Sequence, residues 1–173
     1  MCTLETFKVD LLRLTEPETV FRYHLDNAYF EAIEAPGVRE GTLDATLTIR
    51  KSPDCFELDF HTEGVVHVAC DLCLDDMEQP VVSDNTLVAK FGSADSEEDD
   101  TVMIDERQGT LDVSWLIYEF IELSIPVRHV HAPGKCNASM ARLLHEHSTA
   151  RSSERNGEEE TDPRWSALLK LKE

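Results

Sequence analysis

Two cysteines in the middle of the chain have a spacing that suits metal binding or thiol redox chemistry. Cys70 and Cys73 are separated by two residues and follow an apolar, strand-like run. Two thiols provide only half of a structural zinc site, which takes four nitrogen or sulfur ligands. A later loop-like segment offers the other donors, because it carries Cys136 and two imidazoles, His129 and His131. The pattern predicts a Cys₃His zinc site in which one of these histidines is the fourth ligand.

A CxxC thiol oxidoreductase is the competing interpretation of the same pair. Such a pair has a lowered thiol pKa when it begins a helix. Here the preceding pattern is antiparallel strand, and the carboxylates of Asp71, Asp75 and Asp76 would raise a thiol pKa. The sequence therefore favours zinc over redox chemistry. Plain structural cysteines are a third interpretation of the pair. Cys2 and Cys55 have no nearby partner and are interpreted as ordinary thiols.

The charge of the chain limits the partners it can have. The 173 residues include 35 acidic and 16 Lys or Arg side chains, for a formal net charge of −19. A surface of this kind repels nucleic acid phosphates and anionic membranes and attracts basic proteins. The sequence shows no apolar window long enough for a bilayer and no signal-like first segment, so we expect a cytoplasmic protein with reduced thiols.

Motifs for common catalytic chemistries are absent from the sequence. It contains no GxSxG, no phosphate-binding glycine loop and no HExxH. Carboxylates are so frequent in this chain that a pair of them does not indicate general acid–base catalysis. The sequence therefore predicts no enzyme activity and no catalytic residue.

The first half of the chain has the two-residue period of antiparallel strands. The clearest example lies at 42–50, where Leu43, Ala45, Leu47 and Ile49 alternate with polar residues. Strands are predicted at 7–14, 20–25, 42–50, 56–61, 65–70, 81–82 and 87–91, with a short helix at 26–33. These elements predict a mostly antiparallel sheet with one buried face.

A helical period replaces the strand period after residue 112. Apolar side chains recur at helical spacing from Val113 to Ile121, Asp112 can cap the helix, and Pro126 follows its end. A helix at about 112–123 that packs on the inner face of the sheet gives an α+β fold. A second short helix is predicted at 137–147.

Composition divides the chain into three parts. Residues 1–147 are predicted to form one α+β domain, with a solvated acidic loop at 93–106. Residues 148–162 are polar, lack periodicity and are predicted to be a flexible linker. Residues 163–173 begin with proline and place Trp165 and Leu168 on one side of a helix, which predicts a C-terminal helical docking segment.

The motifs in combination resemble those of the YceD family, proteins linked to accumulation of the large-subunit (23S) ribosomal RNA. The resemblance rests on the CxxC pair, the amphipathic helix that runs into Pro126, the spacing of His131 and Cys136, and the terminal run at 162–168. It favours His131 over His129 as the fourth ligand. In the family the residue before the second cysteine is often Arg, whereas this chain has Leu72.

The resemblance implies a non-enzymatic bacterial factor for synthesis, processing or stability of 23S ribosomal RNA. The charge adds that basic ribosomal proteins suit this chain better as partners than naked rRNA or DNA does. Two alternatives stay open. They are a CxxC thiol oxidoreductase and a metal-free acidic adaptor that uses the loop at 93–106 and the terminal helix.

Overall fold

Alternating strands in the first half of the chain form a five-stranded sheet. The computed structural model describes residues 4–92 and 101–147. The strands are β1 (Lys8–Asp10), β2 (Glu18–Leu25), β3 (Gly41–Lys51), β4 (Phe56–Ala69), β5 (Asp76–Phe91), β6 (Thr101–Ile104) and β7 (Thr110–Asp112). The helices are α1 (Asn27–Ala32), α2 (Ser114–Ser124) and α3 (Ala138–His147), and two 3-10 turns cover Leu4–Phe7 and Leu11–Arg13.

The sheet is mostly antiparallel, with the strand order β2-β3-β4-β5-β6. Strands β2 to β5 pair antiparallel with their neighbours, and β6 runs parallel to β5. A separate two-stranded sheet pairs β1 with β7. The predicted α+β fold with a mostly antiparallel N-terminal half is confirmed.

Helix α2 covers the inner face of the sheet. Strand β3 directs Leu47 into this layer, opposite Phe60 of β4, and both are buried. From the helix side, Ile117 and Ile121 are fully buried, and the ring of Phe120 lies 5.2 Å from the ring of Phe60. The outer face of the same strands is mostly polar, because side chains alternate across a strand, although Val20 and Val82 are exposed on it.

Strands β4 and β5 are each longer than predicted. The strands predicted at 56–61 and 65–70 are one strand, and those predicted at 81–82 and 87–91 are also one. Gly64, between the two predicted strands, continues the ladder opposite Leu43 with a φ of 153°. A β-carbon at Gly64 would lie 2.3 Å from the carbonyl oxygen of Thr42, so the glycine permits close contact of two strands.

The strand predicted at 7–14 is also corrected. Only Lys8–Asp10 is extended, and the carboxylate of Asp10 accepts hydrogen bonds from the backbone N–H groups of Leu12 and Arg13. An aspartate that bonds N–H groups two and three residues ahead favours a turn. At the predicted helix start, the carboxylate of Asp112 accepts from the N–H of Ser114 at 2.9 Å.

The acidic loop predicted at 93–106 contains a strand, which corrects part of that prediction. Residues Thr101–Ile104 form β6, because the sequence Thr-Val-Met-Ile suits a strand despite its acidic flanks. Residues 93–100 lie outside the described residues.

The chain divides into two compact units, Met1–Asn137 and Ala138–Glu173. In the second unit the structure describes α3, which has no buried residue. The predicted linker at 148–162 and the predicted docking segment at 163–173 lie outside the described residues, so the predicted division of the chain stays a prediction. Within residues 4–92 and 101–147, no helix has the length and hydropathy that crossing a membrane requires.

Candidate metal centre

The CxxC pair lies at the tip of the hairpin between β4 and β5. Ala69 and Asp76 form the last cross-strand pair, and Cys70 donates its N–H to the carbonyl of Asp75 at 2.9 Å. Leu74 donates to the carbonyl of Cys70 at 2.9 Å and has a φ of 63°, a left-handed conformation that turns the chain back. This tight loop directs both thiols inward, so Cys70 and Cys73 are 0% and 1% exposed.

The other two donors lie in an irregular segment that follows α2. The helix ends at Ser124, and residues 126–137 contain no helix or strand. A turn closed by the N–H of Lys135 and the carbonyl of Ala132, at 2.9 Å, separates His131 from Cys136. Gly134 has a φ of 80° within this turn, which suits glycine. The turn therefore brings the imidazole and the third thiol to one side of the segment.

Asp71 and His129 hold the two loops together. The N–H of Asp71 donates to the carbonyl of His129 at 3.0 Å, and the N–H of His129 donates to the carboxylate of Asp71 at 2.7 Å. The ring of His129 contacts the same carboxylate at 3.7 Å and the carbonyl of Pro126 at 3.1 Å. Beside the cluster, the side-chain amide of Asn137 donates to the carboxylate of Asp75 at 3.3 Å.

The four predicted ligands converge. The sulfurs of Cys70, Cys73 and Cys136 and a ring nitrogen of His131 all lie within 4.8 Å of one another. The sulfurs of Cys70 and Cys136 are 3.9 Å apart. Nδ1 of His131 lies 3.4 Å from the sulfur of Cys73 and 4.0 Å from that of Cys136.

These separations fit a zinc ion. With zinc bonds of ordinary length in a tetrahedron, two sulfurs would be about 3.8 Å apart, and a sulfur and a nitrogen about 3.6 Å apart. Three of the separations, 3.9, 3.4 and 4.0 Å, lie close to these values, and no two donors are more than 4.8 Å apart. The donor set is also chemically suitable, because thiolates and imidazoles are the ligands that zinc prefers.

The thiols of the cluster differ in how easily they ionise. Burial raises the pKa of Cys70, but hydrogen bonds from the backbone N–H groups of His131, Leu72 and Cys73 outweigh burial and lower the pKa from 9.0 to about 6. Burial, together with the neighbouring thiols of Cys70 and Cys73, raises the pKa of Cys136 to about 11. The protein therefore favours one thiolate and resists further negative charge, which a divalent cation would compensate.

The structure separates the two candidate histidines. His131 lies in the cluster, whereas His129 bonds Asp71 and Pro126. Cys55 lies in the turn between β3 and β4 as a free thiol, away from this cluster, and Cys2 lies outside the described residues. Sequence reasoning missed the role of Asp71, although its position inside the CxxC pair could have suggested a contact with the second loop.

The family assignment follows from the comparison with known proteins. A family model described as "Large ribosomal RNA subunit accumulation protein YceD" matches residues 58–172. The chain belongs to the YceD family. The match to YceD starts within β4 and includes all four residues of the cluster, whereas β1 to β3 precede it. No curated protein and no solved structure matches the chain significantly.

The family name links the chain to the accumulation of large-subunit ribosomal RNA. The predicted resemblance is thereby confirmed over most of the chain. YceD is named for rRNA accumulation and not for a reaction, in accord with the absence of catalytic motifs in the sequence.

Proposed function

We propose that this YceD protein is a non-enzymatic cytoplasmic factor for synthesis, processing or stability of large-subunit (23S) ribosomal RNA. It acts during ribosome assembly through basic ribosomal proteins, and it carries a structural zinc ion. The family match supports the role in large-subunit rRNA accumulation. The convergence of three thiols and one imidazole within 4.8 Å is the observation that supports the zinc site.

Cys70, Cys73, His131 and Cys136 would hold the metal. Four protein donors complete the coordination of a structural zinc site and leave no position for substrate. When bound, zinc supplies a strong link between the hairpin tip and the segment after α2. The protein's own residues already support this link, since Asp71 and His129 exchange hydrogen bonds across the two loops.

The charges of the sheet favour a basic protein as the partner. The outer face of β2 to β5 bears Glu18, Asp44, Glu57, Asp59, Glu63 and Asp84, which follow from the cross-strand register. The same face bears two arginines, Arg22 and Arg50, fewer than its carboxylates. Arg50 lies within 4 Å of three of those carboxylates, on Glu18, Glu57 and Asp59. The field of this face therefore attracts Lys and Arg side chains and repels phosphates.

The thiol oxidoreductase is the second candidate, because Cys70 has a thiol pKa of about 6. A redox thiol must reach the disulfide of its substrate. Cys70 and Cys73 are 0% and 1% exposed, which argues against that access. Alkylation of the native protein with and without chelator distinguishes the two functions. Slow alkylation that a chelator accelerates supports a metal site, whereas fast alkylation in both conditions supports a redox thiol.

The cellular proposal is tested by complementation. Cells without the chain should contain less large-subunit rRNA relative to small-subunit rRNA, and the full chain should restore the ratio. A Cys73→Ser variant should fail to restore it, while Cys55→Ser, which alters a cysteine outside the cluster, should succeed. An unchanged ratio in cells without the chain would contradict the proposal.

The class of partner needs a separate binding experiment. Purified chain is titrated with isolated large-subunit ribosomal proteins and with naked 23S rRNA at one fixed salt concentration. We expect saturable binding to basic proteins and weak binding to the RNA, because like charges repel. Tight binding to the RNA with none to the proteins would overturn the proposed partner class and leave the family assignment intact.

A further inference from the structure

Helix α2 is apolar on two faces. Its inner face, with Ile117 and Ile121, is buried against the sheet. On the outer face Trp115 is 45% exposed and Leu123 is 81% exposed, and Val127 just beyond the helix is fully exposed. Glu119 and Glu122 lie on the same side of the helix. Exposed apolar surface bordered by polar residues is typical of interaction sites. The outer face of α2 therefore has the character of an interface.

A cleft of about 680 Å³ lies beside this outer face. Its walls include Pro36, Phe120 and Leu123, and Glu119 and Glu122 also line it. The cleft thus combines apolar surface with two acidic groups. This volume lies within the range of binding clefts, which is about 300 to 1,000 Å³.

Hydrogen bonds between α2 and the segment at 37–38 fix the two walls of the cleft relative to each other. Gly37 donates its N–H to the hydroxyl of Tyr118 at 2.9 Å, and Val38 donates to the carboxylate of Glu122 at 2.7 Å. The Tyr118 hydroxyl in turn donates to Glu122. Glu119 accepts from the indole N–H of Trp115 at 2.9 Å. A preformed cleft loses less entropy when a partner binds.

We propose that this cleft binds an amphipathic segment of a basic protein, whose apolar side chains fill it and whose Lys or Arg side chains pair with Glu119 and Glu122. The proposal rests on the partner class given under the proposed function. A carboxylate offers about four acceptor positions, so both glutamates can accept from a cation and keep their present bonds. A second copy of the chain suits the cleft less well, because each copy has a formal charge of −19.

Two synthetic peptides test the occupant. Both are amphipathic helices of about 18 residues (roughly five turns), one of leucine and lysine and the other of leucine and glutamate. The full chain with Trp165→Phe is the receptor, so that Trp115 is the one tryptophan left in the sequence. Its indole N–H bonds Glu119, which lines the cleft, so its emission should respond when a peptide pairs with that carboxylate. We expect saturable binding of the lysine peptide with a change in Trp115 emission, and no binding of the glutamate peptide.

Matched variants locate the binding site. Leu123→Thr should weaken the lysine peptide about tenfold, because a buried leucine contributes more than one factor of ten in affinity. Val82→Thr, which changes another exposed residue (67% exposed) on β5, should leave the affinity unchanged. Glu119→Gln retains an acceptor for Trp115 but removes the charge, and it should weaken the lysine peptide by a smaller factor.

The outcomes separate this inference from the proposed function. The proposal that the cleft binds a basic amphipathic segment would be overturned by equal binding of both peptides or by no binding of either. An affinity unaffected by Leu123→Thr would also overturn it. A dimer in sedimentation that Leu123→Thr dissociates would also overturn it, since the occupant would then be a second copy. If ribosomal proteins bind the Leu123→Thr variant as well as the parent, they do not bind at the cleft, but basic proteins remain the partner class.

Discussion

In the core, α2 packs on the inner face of the sheet through side chains such as Leu47 and Ile117, which are fully buried. The cysteine cluster, formed by Cys70, Cys73, His131 and Cys136, instead joins a hairpin tip to a segment without regular structure. Hydrogen bonds, above all those of Asp71 with His129, connect the hairpin tip to this segment. The two regions therefore depend on different interactions.

The difference shows which region needs a metal. Burial of apolar area stabilises the core whether or not a metal is bound. Residues 127–128 and 132–135 of the cluster segment are exposed, so burial contributes little to its position. We therefore expect the core to fold without zinc and the segment at 126–137 to depend on zinc.

The largest expected effect is the loss of zinc from the Cys73→Ser variant. Native mass spectrometry should find one zinc per parent chain and none in the variant, because a structural site needs all four ligands. Trypsin should then cleave faster after Arg128 and Lys135, both exposed in the segment. Cys55→Ser, which alters a free thiol outside the cluster, should keep the zinc. Collapse of the whole unfolding transition in Cys73→Ser would show that the core is not independent of the cluster.

A core substitution should lower the stability of the fold and leave the zinc content unchanged. Ile117→Ala should lower the free energy of unfolding by about 2–5 kcal/mol, since it leaves a cavity between α2 and the sheet. Leu123→Ala, in the same helix but 81% exposed, should change it by about 0.5 kcal/mol or less. Urea unfolding measures both variants. Zinc content should stay at the parent value, and loss of zinc from folded Ile117→Ala would link the two regions.

The same contrast explains what could be predicted from sequence. Period-two and helical patterns are local, so β3 and α2 were predicted within one or two residues of their bounds. The convergence of the cluster was predicted from donor types and counts, which require no geometry. The pairing of Asp71 with His129 could not be predicted in this way, because it joins two irregular loops 58 residues apart. The continuity of β4 through Gly64 was missed for a similar reason, since the fit of this glycine depends on the neighbouring strand.

Asp71 offers a finer test of the cluster, because it contacts the ligand segment without being in the ligand set. Asp71→Ala removes the acceptor for the N–H of His129 at 2.7 Å and should weaken zinc binding about 10- to 100-fold, as loss of supporting groups commonly does. Asp71→Asn keeps a carbonyl acceptor and should recover most of the affinity. Competition with a zinc chelator measures the zinc affinity of the parent and of both variants. Equal affinities for parent and Asp71→Ala would show that the metal alone positions the segment.

The smallest expected effect lies in the core and depends on pH. Burial, followed by the hydrogen bond with Glu122, raises the pKa of Tyr118 from 10.0 to about 12. A pKa raised by folding means that the protonated hydroxyl stabilises the native state fully below pH 10, and that this contribution is lost as the pH rises from 10 to 12.

Tyr118→Phe removes this hydroxyl and leaves the N–H of Gly37 without its acceptor. At pH 8 the variant should be less stable by about 1 kcal/mol, the usual cost of a lost hydrogen bond. Because the parent loses the contribution of Tyr118 at high pH and the variant has none to lose, the difference in urea midpoint should shrink between pH 10 and 12. Burial also raises the pKa of Tyr23 to about 12, so both proteins should weaken over this range. A constant difference up to pH 12 would show that Tyr118 does not titrate in this range. The contact between α2 and the loop at 36–38 would then be as independent of pH as apolar burial is.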